Sequence, residues 1–315
     1  MKDLIENNNS KEEKLLLQYV LSKAGLDTSF MIQEIFLGYK YRKRVGKLYE
    51  SDGYIPTNLI KFYYSLNPTD IEFDNMKKGF ITRYVKNESE LEGVNDLDIH
   101  GHDEILGMAD MYEYLHSEEM EQYFSMYSLK DLHRKLMGHT AHPECSGNFR
   151  TFPAYLPGTG IELAEWTMIQ RELYALSPTI DKLHDYAKVV KATGDVKELL
   201  EFLDQCIRLK VELIRIHPCS DGNGRTVRAF INKLLEDAGL PPIYVKANER
   251  TEYHTAMNKA LIDGDYSSIN AFYRYKICDS IIELDINDRV KKINKELGIN
   301  KSIEENSKQK TKDLK

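Results

Sequence analysis

The chain has 315 residues, 42% of them hydrophobic and 30% charged, which is the balance of a globular protein able to bury its own core. Its 43 basic and 50 acidic side chains leave a net charge of −7, so no nucleic acid is expected as the main partner. Four cysteines, Cys145, Cys206, Cys219 and Cys278, lie far apart with no CxxC pair, which argues against a disulfide framework or a zinc site and fits a reducing cytoplasm.

The N-terminus, MKDLIENNNSKEEK, has no apolar h-region, and no run of about 18 apolar residues follows anywhere. The expectation is therefore a cytoplasmic protein with no membrane span; delivery to another cell as an effector is compatible with it. Residues 15–26 read as a helix stopped by Gly25. A Tyr-rich stretch runs from Phe36 to Tyr64. Next comes a predicted helix from about Asp103 to His116, with Ile105, Leu106, Ala109 and Tyr112 on one stripe. Ser128 is placed to cap another, LKDLHRKLMGH.

Between His139 and Glu162, Gly, Pro and aromatic residues crowd together, the texture of a hairpin more than of a helix. Helices resume at Leu163. A long one is predicted from Val196 to about Ile216, carrying Leu199, Leu203, Ile207, Val211 and Ile214 at helical spacing. Another is predicted from about Asn223 to Asp237, closed by Gly239 and Pro241. The last thirty or so residues lose apolar periodicity and read as a solvated tail.

The segment that carries chemistry is HPCSDGNGRTVR, His217 to Arg228, a short loop between two helices. Gly222 and Gly224 let a ligand approach the backbone, and successive N–H groups at a helix start form an anion nest. Arg225 and Arg228, three apart, add two guanidinium forks, and the combination points to a polyphosphate. Asp221 offers a hard oxygen ligand suited to Mg²⁺ among phosphates. His217, at the end of the preceding helix, is a base with a pKa near neutrality. Each residue alone has a bland role: a helix cap, a turn, surface ion pairs. Together at this spacing they are specific.

The segment resembles the Fic family signature, H-x-F-x-[DE]-G-N-G-R-x-x-R, with Cys219 in place of the family's Phe. That exchange is expected to loosen local packing or add redox sensitivity. GNFRTFPAYLPGTG, residues 147–160, looks like the hairpin flap that Fic proteins lay over the active site to align a target polypeptide by strand addition. ERTEYHTAMNKALIDGDYSSINAFY is similar to the family's segment after the signature, with Tyr253 as an adenine neighbour or, equally, a core aromatic. The resemblance covers residues 80–280.

It implies a mostly α fold, a Fic-type helical bundle with a small β-hairpin flap. Expected divisions are an N-terminal helical region (1–80), the Fic domain (81–285) and a polar tail (286–315). The implied activity is transfer of AMP from ATP to a Ser, Thr or Tyr hydroxyl of a target protein or of the chain itself. His217 would be the base and Asp221 would hold Mg²⁺, with Mn²⁺ as an alternative. Gly222, Asn223 and Gly224 would bind the α-phosphate, and Arg225 and Arg228 the β- and γ-phosphates. ESELEGV, residues 88–94, resembles the family's inhibitory motif [ST]-x-x-x-E-[GN], in which the Glu pairs with the second signature Arg. Here Glu92-Gly93 matches, whereas Glu88 stands at the Ser/Thr position. A capping box, Ser89 with Glu92, is the competing structural role. Alternatives to AMP transfer are other Fic-fold chemistry (phosphate or phosphocholine transfer, or AMP removal with Glu92 orienting water) and a non-catalytic nucleotide-binding module; Gly224 favours AMP transfer over the kinase variant. Residues 1–80 are expected to dock a partner or dimerise, the latter giving a homo-oligomer.

Overall fold

The computed structural model describes residues 70–94, 99–140, 142–156 and 159–283. The expectations for residues 1–69, including the helix ended by Gly25 and most of the Tyr-rich stretch, and for the tail beyond 283 lie outside the described residues.

The fold is organised around the helix that begins inside the signature. Every residue from Asn223 to Leu235 is buried except Gly224, which is partly so. Such a helix must be covered on all sides. Numbering the described helices in chain order, it is α7 (Asn223–Asp237), and it packs against α2 (Ile99–Leu115), α4 (Ser128–Met137), α5 (Ile169–Thr193) and α6 (Val196–Ile216). Helix α1 (Asp70–Glu92) lies against α2. A short α3 (Glu118–Tyr123) starts on Ser117, whose hydroxyl accepts from the Met120 N–H. Helices α8 (Arg250–Asp263) and α9 (Ser267–Glu283) pack on each other and on α6. The core these helices enclose includes Tyr84, Met108, Tyr112, Leu132, Phe202, Leu213, Phe230 and Phe272.

Local chemistry explains the joints near the site. Helix α5 stops at Gly194 in a left-handed turn (φ 60), and Asp195 then caps α6, its carboxylate accepting from the N–H groups of Lys197 and Glu198. α6 and α7 begin and end where the sequence predicts. α4 does begin at Ser128, but its N-cap position is Tyr127, and the Ser128 hydroxyl instead accepts from the Ser125 N–H.

Two expectations fail. Among the described residues there is no strand, so no β-hairpin flap stands at 147–160. In place of cross-strand pairing, the Arg150 N–H donates to the Pro218 carbonyl (2.8 Å) and, just beyond the stretch, the Ala164 N–H to the Arg215 carbonyl (3.1 Å). The Ser89 capping box fails as well. Ser89 lies inside α1, and its hydroxyl bonds back to the Val85 carbonyl at 2.7 Å, so Glu92 is free of any capping duty there. α1 runs through Glu92 and is followed by Gly93 with φ 77.

α2 and α4 meet at Gly107 with no room for a side chain; a Cβ there would lie 1.9 Å from the Leu136 carbonyl oxygen. Because that contact is backbone, nothing can swing aside. Gly107→Ala is expected to destabilise the fold by about 3 kcal/mol or more, read as a large fall in the thermal midpoint. A change of less than about 1 kcal/mol would show that α2 can shift freely relative to α4.

Candidate active site

His217 follows α6 directly and takes the left-handed conformation (φ 49, ψ 62), among the described residues the one non-glycine with positive φ. This costs roughly 1 kcal/mol and turns the chain sharply from α6 into the loop. What holds it there is Arg150, a residue the sequence reading did not single out. Its guanidinium is buried, with 4% exposed, and donates only to carbonyls: Nε to His217 (2.8 Å), Nη1 to Phe152 (2.8 Å), Nη2 to Ala164 (2.6 Å) and Ile216 (3.3 Å). With the two backbone bonds above, the carbonyls of Arg215, Ile216, His217 and Pro218 all find donors in the 150–164 segment. A helix C-terminus carries partial negative charge and unpaired carbonyls, and a buried cation answers both needs. Burial, assisted by the Arg150 charge, holds the His217 imidazole below its ordinary pKa against the pull of the Ile214 carbonyl and the Asp221 carboxylate. The ring is thus kept neutral, the form able to accept a proton.

His133 on α4 is the second residue missed. The Gly147 N–H donates to its Nδ1 at 2.9 Å, so the proton sits on Nε2, which donates to the Asp221 carbonyl at 3.0 Å. Burial keeps this imidazole, too, below its usual pKa. It works as a fixed neutral strut beneath the loop. The loop closes internally through Asn223, whose side-chain amide accepts from the Cys219 N–H and donates to the Cys219 carbonyl, both at 2.8 Å. Both ends of that amide are engaged with Cys219, which fixes its orientation. Gly222 (φ 71) precedes α7 and offers no side-chain cap, leaving the positive end of the helix facing the loop.

The two signature arginines are buried and already paired. Arg225 is 4% exposed and pairs with Glu104 of α2; the Asp221 carboxylate is 3.7 Å away. Arg228 donates from Nε to Glu88 (2.6 Å) and from Nη2 to Glu92 (2.5 Å), both on α1. Burial would raise the Glu92 carboxyl, but the Arg228 guanidinium outweighs it and holds it below the ordinary range; the fully buried Glu88 is raised by burial despite the same cation. Gly224 lies against this pair: a Cβ there would come within 3.0 Å of Arg228 Nη1 and 3.3 Å of Glu92 Oε1. A residue without a side chain is what that approach requires.

Asp221 stands at the open side of the loop with 70% of its side chain exposed, one oxygen accepting from the Gly222 N–H. Among the described residues, no three His, Cys, Asp or Glu side chains converge to hold a metal by themselves. Tyr253 is 3% exposed, set behind Arg228 beside Lys210 and Phe272; burial would raise its hydroxyl pKa, but Lys210 and Arg228 hold it down. Cys219 is buried against a small apolar cavity lined by Leu129, Phe149, Pro218, Thr226 and Val227. Burial pushes its thiol up to about 12, and the thiolate is the reactive form.

The sequence model of the Fic/DOC family matches residues 123–235. A protein adenylyltransferase Fic of Drosophila mojavensis is 31% identical over 191 residues, which is 58% of this chain and 33% of that one. One of Nematostella vectensis is 24% identical over 216 residues, 68% of this chain and 45% of the relative. The chain therefore spans less than half the length of these relatives. Among solved structures, Fic-1 of Caenorhabditis elegans superposes with a TM-score of 0.58 at 19% identity, covering 90% of this chain and 78% of that one. A Fic domain containing signaling protein of Bacteroides thetaiotaomicron gives 0.57 at 16% identity, covering 72% and 96%. These likenesses establish the fold.

Two measurements test the site's electrostatics. In Arg150→Met the His217 ring, followed by NMR, is expected to titrate at higher pH than in the wild type, because a cation opposing its protonation is gone. Arg150→Lys, which keeps the charge, should move it less; an unchanged or lower titration in Arg150→Met would show that the charge is not felt. In a second experiment, iodoacetamide applied to the native protein should label half-buried Cys145 and spare Cys206 and Cys219, read by peptide mass spectrometry. Rapid labelling of Cys219 would mean that the loop opens.

Proposed function

We propose, from the premise that the chain carries a Fic/DOC domain, that it is a protein adenylyltransferase moving AMP from ATP to a hydroxyl side chain of a protein. The observation that carries this reading is the junction of α6 and α7, where a neutral His217, the uncapped start of α7 and two buried arginines face one short loop.

The α-phosphate would lie over the backbone of Gly222, Asn223 and Gly224, whose N–H groups and helix end stabilise the charge that shifts onto it. Arg225 would take the β-phosphate by exchanging Glu104 for phosphate oxygens, and Arg228 the γ-phosphate by exchanging Glu92. A divalent cation, Mg²⁺ or alternatively Mn²⁺, fits Asp221: one exposed carboxylate completed by phosphate oxygens is a usual set for it, and the bound ion would offset phosphate charge. His217 takes the proton of the attacking hydroxyl. The new bond forms from that oxygen to the α-phosphorus, the bond from the α-phosphorus to the bridging oxygen breaks, and pyrophosphate leaves. The irregular 150–156 segment, with Phe152 and Tyr155 exposed beside the His217 turn, is the place for an extended target chain.

Glu92 supports an autoinhibited ground state. One guanidinium cannot serve a carboxylate and a γ-phosphate with the same N–H groups, so ATP would meet Arg228 already engaged. Misplacement of the reacting phosphorus costs on the order of 10²-fold in rate. With ATP labelled at the α-position, Glu92→Gly is therefore expected to raise protein labelling, self-modification included, by about that factor. Adding His217→Asn, chosen because asparagine tolerates the left-handed turn, should remove the labelling while ATP still binds. Transfer from γ-labelled ATP, or equal labelling with and without His217, would replace this function with another.

A further inference from the structure

Arg228 carries a second carboxylate that the inhibitory reading does not use. Glu88 and Glu92 lie one helical turn apart on α1 and reach the same guanidinium, Glu88 at Nε and Glu92 at Nη2. One difference separates their roles. The Glu92 side chain, last in its helix, is 34% exposed, whereas that of Glu88 is 0% exposed. Rotation about side-chain bonds can withdraw Glu92 into solvent. Glu88 cannot leave unless α1 itself parts from the core.

Around Glu88 lies a closed polar cluster. Lys210 of α6 is fully buried, its ammonium 5.3 Å from the ring centres of both Tyr253 and Tyr273, and Tyr84 is equally buried on the α1 side. Its charged members are Glu88, Glu92, Arg228 and Lys210, two of each sign. They cancel while Glu92 is in place. When Glu92 withdraws, one surplus positive charge faces the loop; without Glu88 there would be two.

We infer that Glu88 is a positioning residue of the nucleotide site: it fixes Arg228 through Nε, leaves only the Nη edge for an anion, and sets how much of the arginine's charge a terminal phosphate meets. The inference rests on the proposed nucleotide site. It follows that Arg228, half neutralised at all times, adds little to the binding of a triphosphate over a diphosphate, so the chain holds ATP and ADP with similar strength once Glu92 is removed. Replacing Glu88 by Gln keeps an oxygen acceptor for Nε and deletes only the charge. A unit charge this close to the terminal phosphate is worth on the order of 10-fold in the affinity ratio after solvent screening.

The test compares binding of ATP and ADP analogues with a methylene α,β-bridge, measured by calorimetry at mildly alkaline pH, which favours the charged form of a carboxyl whose pKa burial raises. Glu92→Gly is expected to bind the triphosphate only a few-fold more tightly than the diphosphate, and Glu88→Gln in the same background should widen that ratio about 10-fold. Glu88→Asp, which keeps the charge, should leave the ratio near the parent value. If Glu88→Gln fails to fold, Glu88→Ser, with room for water beside Nε, carries the same comparison. An unchanged or narrowed ratio on loss of the charge, or equal widening in Glu88→Asp, overturns the role of Glu88 alone. Failure of every variant to bind either analogue overturns the nucleotide site and this inference with it.

Discussion

Two helix ends of opposite polarity meet at residues 217–222, and the rest of the site depends on how that meeting is satisfied. The end of α6 presents four successive carbonyls, Arg215 to Pro218, and Arg150 with the neighbouring backbone supplies donors to all of them. The start of α7 is left without a side-chain cap. The negative end is thus quenched from within the protein, and the positive end faces the loop without a side-chain cap. A mobile side chain capping α7 would compete with any phosphate, and an unquenched α6 would repel it.

The arginines obey a related constraint. A guanidinium does not lose its proton in a protein, so burying two of them demands anionic partners whenever no phosphate is present. Helices α1 and α2 provide these as Glu88, Glu92 and Glu104. On the proposed function, the same carboxylates that balance these buried cations are those a polyphosphate would displace or share. The exposure of each glutamate decides which can yield.

The loop's geometry is carried by side chains with no chemistry of their own. His133 is locked in one tautomer between Gly147 and Asp221, and the Asn223 amide ties both backbone groups of Cys219. Cys219 fills its place as a small apolar group, next to space that a larger side chain would occupy.

The signature was legible in the sequence because its chemistry is local. Helix ends, glycines that admit positive φ, and a helix start are properties of consecutive residues, and α6 and α7 fall where hydrophobic spacing places them. The helix carrying Glu92 was less so. Ser89 and Glu92 fit a capping box by spacing alone, and only packing against α2, with Arg228 drawing Glu88 and Glu92 inward, carries α1 through that point. The expected hairpin at 147–160 failed for the same kind of reason: the Arg150 backbone N–H goes to the Pro218 carbonyl, a partner more than 50 residues away in the chain. Arg150, His133 and the burial of Tyr253 behind Arg228 left no local trace, since an arginine that caps a distant helix and one that faces water have the same neighbours in sequence. Residue types and their short-range spacing determined the helix ends and the loop of the signature; which charges are held, and by which partners, was decided by long-range burial, where an unpaired polar group costs too much to be left alone.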